Sequence, residues 1–235
     1  MLSIYRKVSG KIFRDRVSSK VMIFSSLAWV FLLISTILIL YRMVKKSSEL
    51  FLMSSLAVLI ASSLIFAEDK TIISLLFFLA MLFSFLGDLF MKRIIKITHH
   101  KIIDGILSFG VAHILYITGI AQITSLNWFF ATILTMVLGI PIYFVVVYTP
   151  EQKTLSIIAA IYVFLIALLF STSLLLLNAA FNLGNVILTI GILLFMISDS
   201  MIGYRQFRRD LPIFERLISL TYIFGQILIQ SYGLI

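Results

Sequence analysis

Eight long apolar runs constrain the fold of this chain more than any other feature. Each run is close to the roughly 20 mostly apolar residues that a helix needs to cross a bilayer, and the connections between the runs are short. Lipid offers no hydrogen-bond partners, so a spanning segment must be a helix or part of a closed β-barrel. Continuous rather than alternating runs favour helices. The predicted spans are residues 21–41, 49–66, 71–91, 102–122, 127–148, 154–177, 184–204 and 213–233.

The composition of the chain supports the same class of protein. Of its 235 residues, 61% are hydrophobic and 12% are charged, and the mean hydropathy is +1.14, whereas soluble domains are about one quarter charged. We therefore predict an all-α, multi-pass protein of the cell membrane, with one domain of eight transmembrane helices over residues 21–235. Cysteine is absent, which excludes disulfides, thiolate nucleophiles and cysteine-ligated metals.

Residues 1–20, MLSIYRKVSGKIFRDRVSSK, differ from the rest of the chain. Basic and apolar residues alternate there at roughly helical spacing, which is typical of an amphipathic arm on anionic headgroups. A disordered basic tail is the alternative. The formal net charge is +9, and its basic residues flank apolar runs. That pattern indicates the lipid bilayer as a partner and not nucleic acid.

The orientation of the chain in the membrane follows from its basic residues only in part. Eight alternating spans put seven of the 19 Lys and Arg residues on the side of the N-terminal arm and twelve on the other side. The enrichment of basic residues in cytoplasmic loops then favours both termini outside the cytoplasm. The dense basic arm favours the opposite orientation.

Two acidic residues, Asp88 and Asp199, lie inside apolar runs. An aspartate near the bilayer centre costs about 2.5–3.5 kcal/mol on insertion scales, so it normally faces the bundle interior and has a partner or a function. Asp88 precedes Lys92 by four residues and Asp199 precedes Arg205 by six. At about 1.5 Å per helical residue, both carboxyl groups lie close to the same, basic side of the membrane. Pairing of Asp88 with Lys92 along one helix is the plainer alternative.

Several other polar side chains also lie within predicted spans. His113 and Tyr116 share one helix face with Phe109, and Tyr222 and Gln226 are four residues apart in the last span. Such groups must find partners among the helices because lipid offers none. Two explanations fit these side chains equally well: they form hydrogen bonds that hold helices together, or they belong to a functional site.

The chain contains no short motif of nucleotide, metal or serine-hydrolase chemistry. A nucleophile-elbow serine, a P-loop and an HExxH motif are all absent from the sequence. His99 and His100 lie in a basic loop without further candidate metal ligands, so we expect them to be solvated. We expect the protein to use no cofactor and no metal.

A faint internal repeat relates the two halves of the chain. Gly87 and Asp88 precede basic residues in the third span, and Ser198 and Asp199 do so in the seventh. Each copy is followed by a basic loop and by a helix with an aromatic and a polar residue four positions apart. A separation of four spans indicates two parallel four-helix repeats, which would bring both aspartates towards one central site. Coincidence is the alternative.

Four segments of the sequence carry a family resemblance. They are FSFLGDLFM at 83–91, GILSFGVAHILYI at 105–117, GILLFMISDSMIGYRQFRR at 191–209 and TYIFGQILI at 221–229. Their GD, HxxY, SD and Y-x3-Q elements, in this order and within eight spans, resemble the YhhN family of membrane proteins, which includes the lysoplasmalogenases. The chain departs from the family in the stretch KKSSEL, where members usually carry a Lys-Pro-Leu-like start to the second span. The fifth and sixth spans match loosely, with Tyr162 as their polar landmark.

The resemblance implies hydrolysis of the vinyl-ether bond of lysoplasmalogens, which releases a fatty aldehyde and a glycerophospho-headgroup compound. It assigns catalysis to Asp88 and Asp199. It also suggests that their cavity is lined by His113, Tyr116, Tyr222 and Gln226. Because the reactive bond of a lysophospholipid lies just below its phosphate, we expect the headgroup to be bound by Lys92, Arg93, Arg205 and Arg208.

Vinyl-ether cleavage needs two groups that a pair of aspartates can supply. One protonates the outer alkene carbon, and the other stabilises the oxocarbenium ion and activates water. Apolar surroundings and a neighbouring carboxylate both favour the neutral, proton-donating form of a carboxyl group, and glycosidases meet a related problem with two carboxylates. The sequence does not indicate which aspartate is the acid.

Two other classes of function fit the sequence. One is a small secondary carrier for a cation or a lipid, since buried acids, parallel repeats and broken helices occur in carriers, and Pro141 lies within the fifth span. The other is a non-catalytic membrane scaffold. An assay of purified protein in detergent separates an enzyme from a carrier, because transport requires two compartments.

Overall fold

Eight helices make up the part of the chain that the structure describes. The computed structural model describes residues 2–45, 47–149 and 153–235, with side chains from residue 23 onwards in these ranges. The helices are α1 Leu2–Lys45, α2 Ser48–Asp69, α3 Ile72–Met91, α4 Lys101–Ile123, α5 Trp128–Ile142, α6 Lys153–Ala179, α7 Leu183–Phe207 and α8 Phe214–Ser231.

Eight helical segments of the described chain are long and apolar enough to cross a membrane, as the sequence predicts; the fifth joins α5 to the π-helical segment that follows it. Within the described residues these segments begin and end within four residues of the predicted spans. The first segment is Ile23–Lys45, in the C-terminal part of α1. The side chains of the basic arm, residues 1–20, lie outside those described, so its contact with headgroups stays a prediction.

Local sequence signals explain where several helices begin. Ser47, Thr71, Asn127 and Asn182 each precede a helix, and their side chains accept hydrogen bonds from backbone N–H groups of its first turn. These residue types are favoured at such positions because the first N–H groups of a helix lack intrahelical partners. Polar residues in the short connections therefore define where these four helices begin.

The packing of the first four helices recurs in the second four. The helix pairs α1–α2 and α3–α4 correspond to α5–α6 and α7–α8, and α2–α3 corresponds to α6–α7. The contact of α4 with α6 likewise corresponds to that of α8 with α2. These pairings agree with two parallel four-helix repeats, whereas the packing of α1 against α8 has no counterpart of similar extent between α5 and α4. They surround both aspartates with helices from both halves of the chain.

The fifth span is irregular at its end. Pro141 lies in the last turn of α5, and the chain continues as a π-helical segment, Tyr143–Val147. Proline lacks the N–H that a regular helix requires, and π-helical turns accommodate such interruptions. The irregularity turns Val146 and Val147 inward, where both are buried.

Helices α7 and α8 touch backbone to backbone where two glycines face each other. A Cβ atom on Gly225 would lie 2.9 Å from the carbonyl oxygen of Gly191 and 3.0 Å from the backbone nitrogen of Phe195. Small residues permit this close approach of membrane helices. The contact sets the position of α8, which carries Tyr222 and Gln226.

We predict that Gly225→Ala lowers the free energy of unfolding by about 1–3 kcal/mol, because the added methyl group overpacks the α7–α8 contact. Gly110→Ala is the matched control, since its Cβ would meet its nearest neighbour, Leu165 Cδ2, at an ordinary 3.7 Å. Both changes favour helix formation equally. Unfolding of the purified variants in detergent, followed by circular dichroism, measures the difference. Equal stability of the two variants would contradict the prediction.

Candidate functional site

Asp88 is a buried carboxyl group held by two hydroxyl donors from other helices. It lies near the end of α3 with 3% of its surface exposed. Ser55 of α2 donates a hydrogen bond of 2.5 Å to its Oδ2, and the Tyr222 hydroxyl of α8 donates one of 3.0 Å to the same oxygen. Both donors are buried. Three helices therefore converge on this carboxyl group, which leaves its Oδ1 without a bond to those donors.

The glycine before Asp88 allows an aromatic ring to pack beside it. A Cβ atom on Gly87 would lie 2.7–2.8 Å from three ring atoms of Phe109, closer than real Cβ atoms approach other groups. Any larger residue at this position would push the Phe109 ring away from α3. The GD pair thus combines a carboxyl group with the space for the ring that packs next to it.

Asp199 is held in a similar way by the other half of the bundle. It lies in α7 with 8% of its surface exposed. The Tyr162 hydroxyl of α6 donates a hydrogen bond of 2.5 Å to Oδ2, and Nε2 of His113, on α4, lies 3.7 Å from the same oxygen. That separation is too long for a hydrogen bond. The His113 ring is fully buried, and neither of its nitrogens has a hydrogen-bond partner in the described part of the chain.

Aromatic rings pack between the two aspartates. The ring of Phe195 packs edge-on against those of Phe109 and Tyr222, with centroids 6.3 Å and 5.3 Å away. The His113 ring also packs against Phe195, with centroids 5.0 Å apart. Edge-to-face packing at these distances is favourable for aromatic rings. The rings join the tyrosine that bonds Asp88 to the histidine that faces Asp199.

A polar cavity of about 440 Å³ lies next to Asp88 at the basic end of the bundle. Asp210 and Glu215 line it with side chains that are 61% and 59% exposed, so its rim lies at the protein surface. The Tyr222 ring and Phe51 also line this cavity. Its cationic side chains are those of Arg42, Lys92, Lys101 and Arg205. An anionic group that enters it meets four positive charges, two of which, those of Arg42 and Arg205, are already paired with Glu215 and Asp210.

Lys92 is the cation of this cavity that follows the Asp88 helix directly. Its ammonium group lies over the Phe51 ring, 5.4 Å from the centroid. Partial burial and then the positive charge of Arg42 lower the pKa of Lys92 below its ordinary value. Of the ion pairs within 4 Å among the described residues, none joins Lys92 to Asp88. The structure therefore does not contain the alternative arrangement, an ion pair between Asp88 and Lys92 along α3.

Asp199 lines a second cavity, which is apolar and much smaller, about 50 Å³. Tyr162, Ser200 and Gln206 are the other polar residues in its wall, and the π-helical segment supplies Val146 and Val147. The two cavities adjoin. Both are lined by Met91, Ile102, Phe109, Ile202 and Gln206. The repeat in the sequence predicted one central site, whereas the structure has two neighbouring cavities with one aspartate each.

The predicted supporting residues separate into two groups. Tyr222 and His113 lie at the aspartates, as described above. Tyr116 and Gln226 line neither of the two adjoining cavities. The Tyr116 hydroxyl donates to Oε1 of Gln226 at 2.9 Å and accepts from Nε2 of Gln230 at 2.8 Å, and Ser62 donates to Oε1 of Gln230 at 2.8 Å. This cluster joins α2, α4 and α8, as expected for hydrogen bonding between helices.

The predicted headgroup residues also divide in two. Lys92 and Arg205 line the polar cavity, where Arg205 forms an ion pair of 2.8 Å with Asp210. Arg93 and Arg208 do not line it. Arg93 donates to the backbone carbonyls of Thr98 and His99, and Arg208 donates to those of Phe144 and Val145. The guanidinium group of Arg93 thus bonds the loop before α4 and that of Arg208 bonds the π-helical segment, and a role of theirs in headgroup binding stays a prediction.

Several residues at the site were not expected from the sequence. Arg42 ends the first span in the sequence, where a solvated cation is expected, yet it is only 2% exposed and bonds Ser47 O and Glu215. Ser55 resembles the other serines of α2, and nothing in its local pattern marks it as a partner of Asp88. Tyr162 stood out in the sequence as the polar residue of a loosely matching span, but nothing in the sequence indicated that it bonds Asp199.

Comparisons with known proteins agree with the motif-based resemblance. The model of a family described as the YhhN family matches residues 47–232, most of the chain. This range contains both aspartates and all eight helices except α1. Among curated proteins and among solved structures, no match to the chain is found.

We predict that Tyr116→Phe lowers the free energy of unfolding by about 0.5–2 kcal/mol, because both Gln226 and Gln230 lose their hydroxyl partner inside the bundle. Tyr41→Phe is the control, since Tyr41 is half exposed on α1. The measurement is unfolding in mixed detergent micelles under increasing sodium dodecyl sulfate. A Tyr116→Phe variant as stable as the control would show that this cluster contributes nothing to the bundle.

Proposed function

The chain belongs to the YhhN family, and we propose that it is a membrane hydrolase that cleaves the vinyl-ether bond of lysoplasmalogens. The products are a fatty aldehyde and a glycerophospho-headgroup compound, and the substrate is drawn from the cell membrane. The observation that carries the proposal is the burial of Asp88 beside a cation-lined cavity at one end of an apolar bundle. Acid chemistry and anion binding are thereby available within one site.

The polar cavity suits the polar part of a lysophospholipid. Its volume, about 440 Å³, falls within the range of about 300–1,000 Å³ that is usual for small-molecule sites. A phosphate group carries negative charge, and the cavity offers Lys92, Lys101 and Arg205. The reactive bond of the lipid, one glycerol unit from the phosphate, would then lie at the depth of Asp88, within a turn of Lys92.

The apolar cavity suits the carbon atoms next to the bond. At about 50 Å³ it takes only the first part of the alkenyl chain, and the rest would extend between helices towards lipid. Phe109 lies in the walls of both cavities, so the change from polar to apolar surroundings occurs at its ring. A vinyl ether has the same change of polarity, from its oxygen to its hydrocarbon chain.

The reaction needs a proton on carbon and an attack by water. Protonation of the outer alkene carbon produces an oxocarbenium ion, water adds to the inner carbon, and the resulting hemiacetal collapses to aldehyde and alcohol. Positioned carboxyl groups accelerate such proton transfers by about 10²–10⁴-fold each. Asp88 and Asp199 are the buried acidic groups that line the two cavities, whereas Asp210 and Glu215 are exposed at the rim.

A carrier for a cation or a lipid is the second candidate. Two observations favour it: the fifth span is broken by Pro141 and a π-helical segment, and the Tyr116 cluster leads to a cavity of about 650 Å³ at the opposite end, lined by Ser62 and Gln230. Purified protein in detergent separates the two candidates. A hydrolase releases aldehyde from vinyl-ether lysolipids there and leaves alkyl-ether and ester lysolipids intact, whereas a carrier releases none.

We predict that Asp88→Asn and Asp199→Asn each lower aldehyde release by about 10²–10⁴-fold, because an amide neither donates nor accepts the proton of an acid–base step. Asparagine keeps the shape of aspartate and an oxygen that accepts the hydroxyl donors. Asp69→Asn is the matched control, an exposed aspartate at the opposite end of the bundle. Aldehyde is measured with a coupled dehydrogenase in detergent. Near-normal turnover in either variant would remove that aspartate from the mechanism.

We predict that Lys92→Gln raises the KM for a lysoplasmalogen about tenfold or more, since a charge-assisted bond to phosphate contributes about 1.5–3 kcal/mol. Lys96→Gln removes an exposed positive charge from the same loop and controls for the general loss of charge. Initial rates against substrate concentration give KM for both variants. Equal KM values would contradict binding of the phosphate in the polar cavity.

A further inference from the structure

The two aspartates differ in what surrounds them. Asp88 adjoins a polar cavity of about 440 Å³ whose rim reaches the surface, whereas Asp199 adjoins an apolar one of about 50 Å³. Around Asp88 the ionisable side chains are Tyr222 and, in the cavity, Arg42, Lys92, Lys101, Arg205, Asp210 and Glu215. Around Asp199 they are Tyr162 and His113. Both carboxyl groups are buried, but the space for water and anions is much larger in the cavity beside Asp88 than in the one beside Asp199.

Resting on the hydrolase function above, we propose that Asp199 is the acid that protonates the outer alkene carbon, and that Asp88 carries out the proton transfers at oxygen. Tyr162 positions Asp199 for this step. The inference rests on the polarity of the two cavities and on the direction in which a lysoplasmalogen must lie across them.

The substrate can cross the boundary at Phe109 in one direction only. Its phosphate belongs with Lys92 and Arg205 in the polar cavity, and its hydrocarbon chain belongs in the apolar one. The ether oxygen, attached to glycerol, then lies on the side of Asp88. The outer alkene carbon, attached to the chain, lies on the side of Asp199. Attacking water reaches the inner carbon from the polar cavity.

The protons balance in this arrangement. The Asp199 carboxylic acid gives its proton to the outer carbon, the alkene electron pair forms the new C–H bond, and an oxocarbenium ion remains. Water adds to the inner carbon while the Asp88 carboxylate takes one of its protons. In the hemiacetal, the Asp88 acid returns that proton to the glycerol oxygen as the carbon–oxygen bond breaks. The hydroxyl proton restores the Asp199 acid, and both side chains end in their starting forms.

Tyr162 determines which oxygen of Asp199 can act. Its hydroxyl donates 2.5 Å to Oδ2, and His113 lies near the same oxygen at 3.7 Å. A proton on Oδ2 would compete with the tyrosine donor, so the transferable proton belongs on Oδ1. Tyr162 and Asp199 both line the apolar cavity, so the bond between them holds the acid at the wall of the cavity in which, on this proposal, the outer carbon lies.

The test compares two substrates of the purified full-length protein. One is the vinyl-ether lysolipid, and the other is its saturated acetal analogue with a methoxy group on the inner carbon. The acetal reaches an oxocarbenium ion when Asp88, which first takes a proton from the water of the polar cavity, protonates the glycerol oxygen. This route bypasses protonation of carbon, and water that adds to the ion returns a proton to Asp88. We expect Asp199→Asn to lower vinyl-ether cleavage by about 10²–10⁴-fold and to keep acetal cleavage within about threefold of the unaltered protein. Asp88→Asn should lose both activities.

A third variant tests the positioning residue. We expect Tyr162→Phe to lower the rate constant kcat on the vinyl ether about tenfold, the effect of losing about 1.4 kcal/mol of orientation, and to leave acetal cleavage and both KM values unchanged. A purely structural role of Tyr162 would lower cleavage of both substrates alike, so the ratio of the two rates decides between them.

Each result has a definite consequence. Acetal cleavage retained by Asp88→Asn, lost by Asp199→Asn, or absent from the unaltered protein would overturn the assignment of roles. No aldehyde from the vinyl ether with the unaltered protein would instead overturn the proposed function itself. Gel filtration in detergent shows whether Asp88→Asn folds. If it does not, the rates of vinyl-ether and acetal cleavage by Asp199→Asn are sufficient to test the assignment, because acetal cleavage by that variant also shows that it is folded.

Discussion

Two carboxyl groups enclosed by an apolar helix bundle impose the main constraint on this structure. Lipid and hydrocarbon side chains offer them no partners, so hydrogen-bond donors must come from neighbouring helices. The donors come crosswise from the two halves. Asp88 is bonded by Ser55 of its own half and Tyr222 of the other. Asp199 is bonded by Tyr162 of its own half and faced by a residue of the other, His113. Satisfying both acids therefore requires both halves to pack together.

This crosswise arrangement also explains why polarity changes so abruptly within the bundle. The basic ends of four helices surround the cavity beside Asp88, whereas the π-helical segment, α6 and α7 enclose the cavity beside Asp199 with apolar side chains. Phe109 stands between the two, packed against α3 where Gly87 leaves room for it. A lipid whose polar and apolar parts meet at one reactive bond matches that boundary, which is why we favour hydrolysis over transport.

The sequence indicated much of the site through residues that are costly in a membrane. Asp88, Asp199 and His113 were identifiable because a polar group inside an apolar run needs a reason to be there, and all three are buried in the bundle. Ser55 and Arg42 were not identifiable. A serine is inexpensive anywhere in a membrane helix, and an arginine at a span end is expected to be solvated. Their roles depend on which helix lies opposite.

The sequence by itself determined the eight spans and their approximate ends, because apolar length and capping residues are local properties that the bilayer and the backbone select. It also determined that the two acids would lie near the basic side, since that depth follows from their distance to Lys92 and Arg205. Only the tertiary structure decided that the acids line two adjoining cavities. It also decided that Arg93 and Arg208 bond backbone carbonyls and that Tyr116 and Gln226 bond each other. Those outcomes depend on distances between helices remote in sequence, and no local pattern encodes such distances.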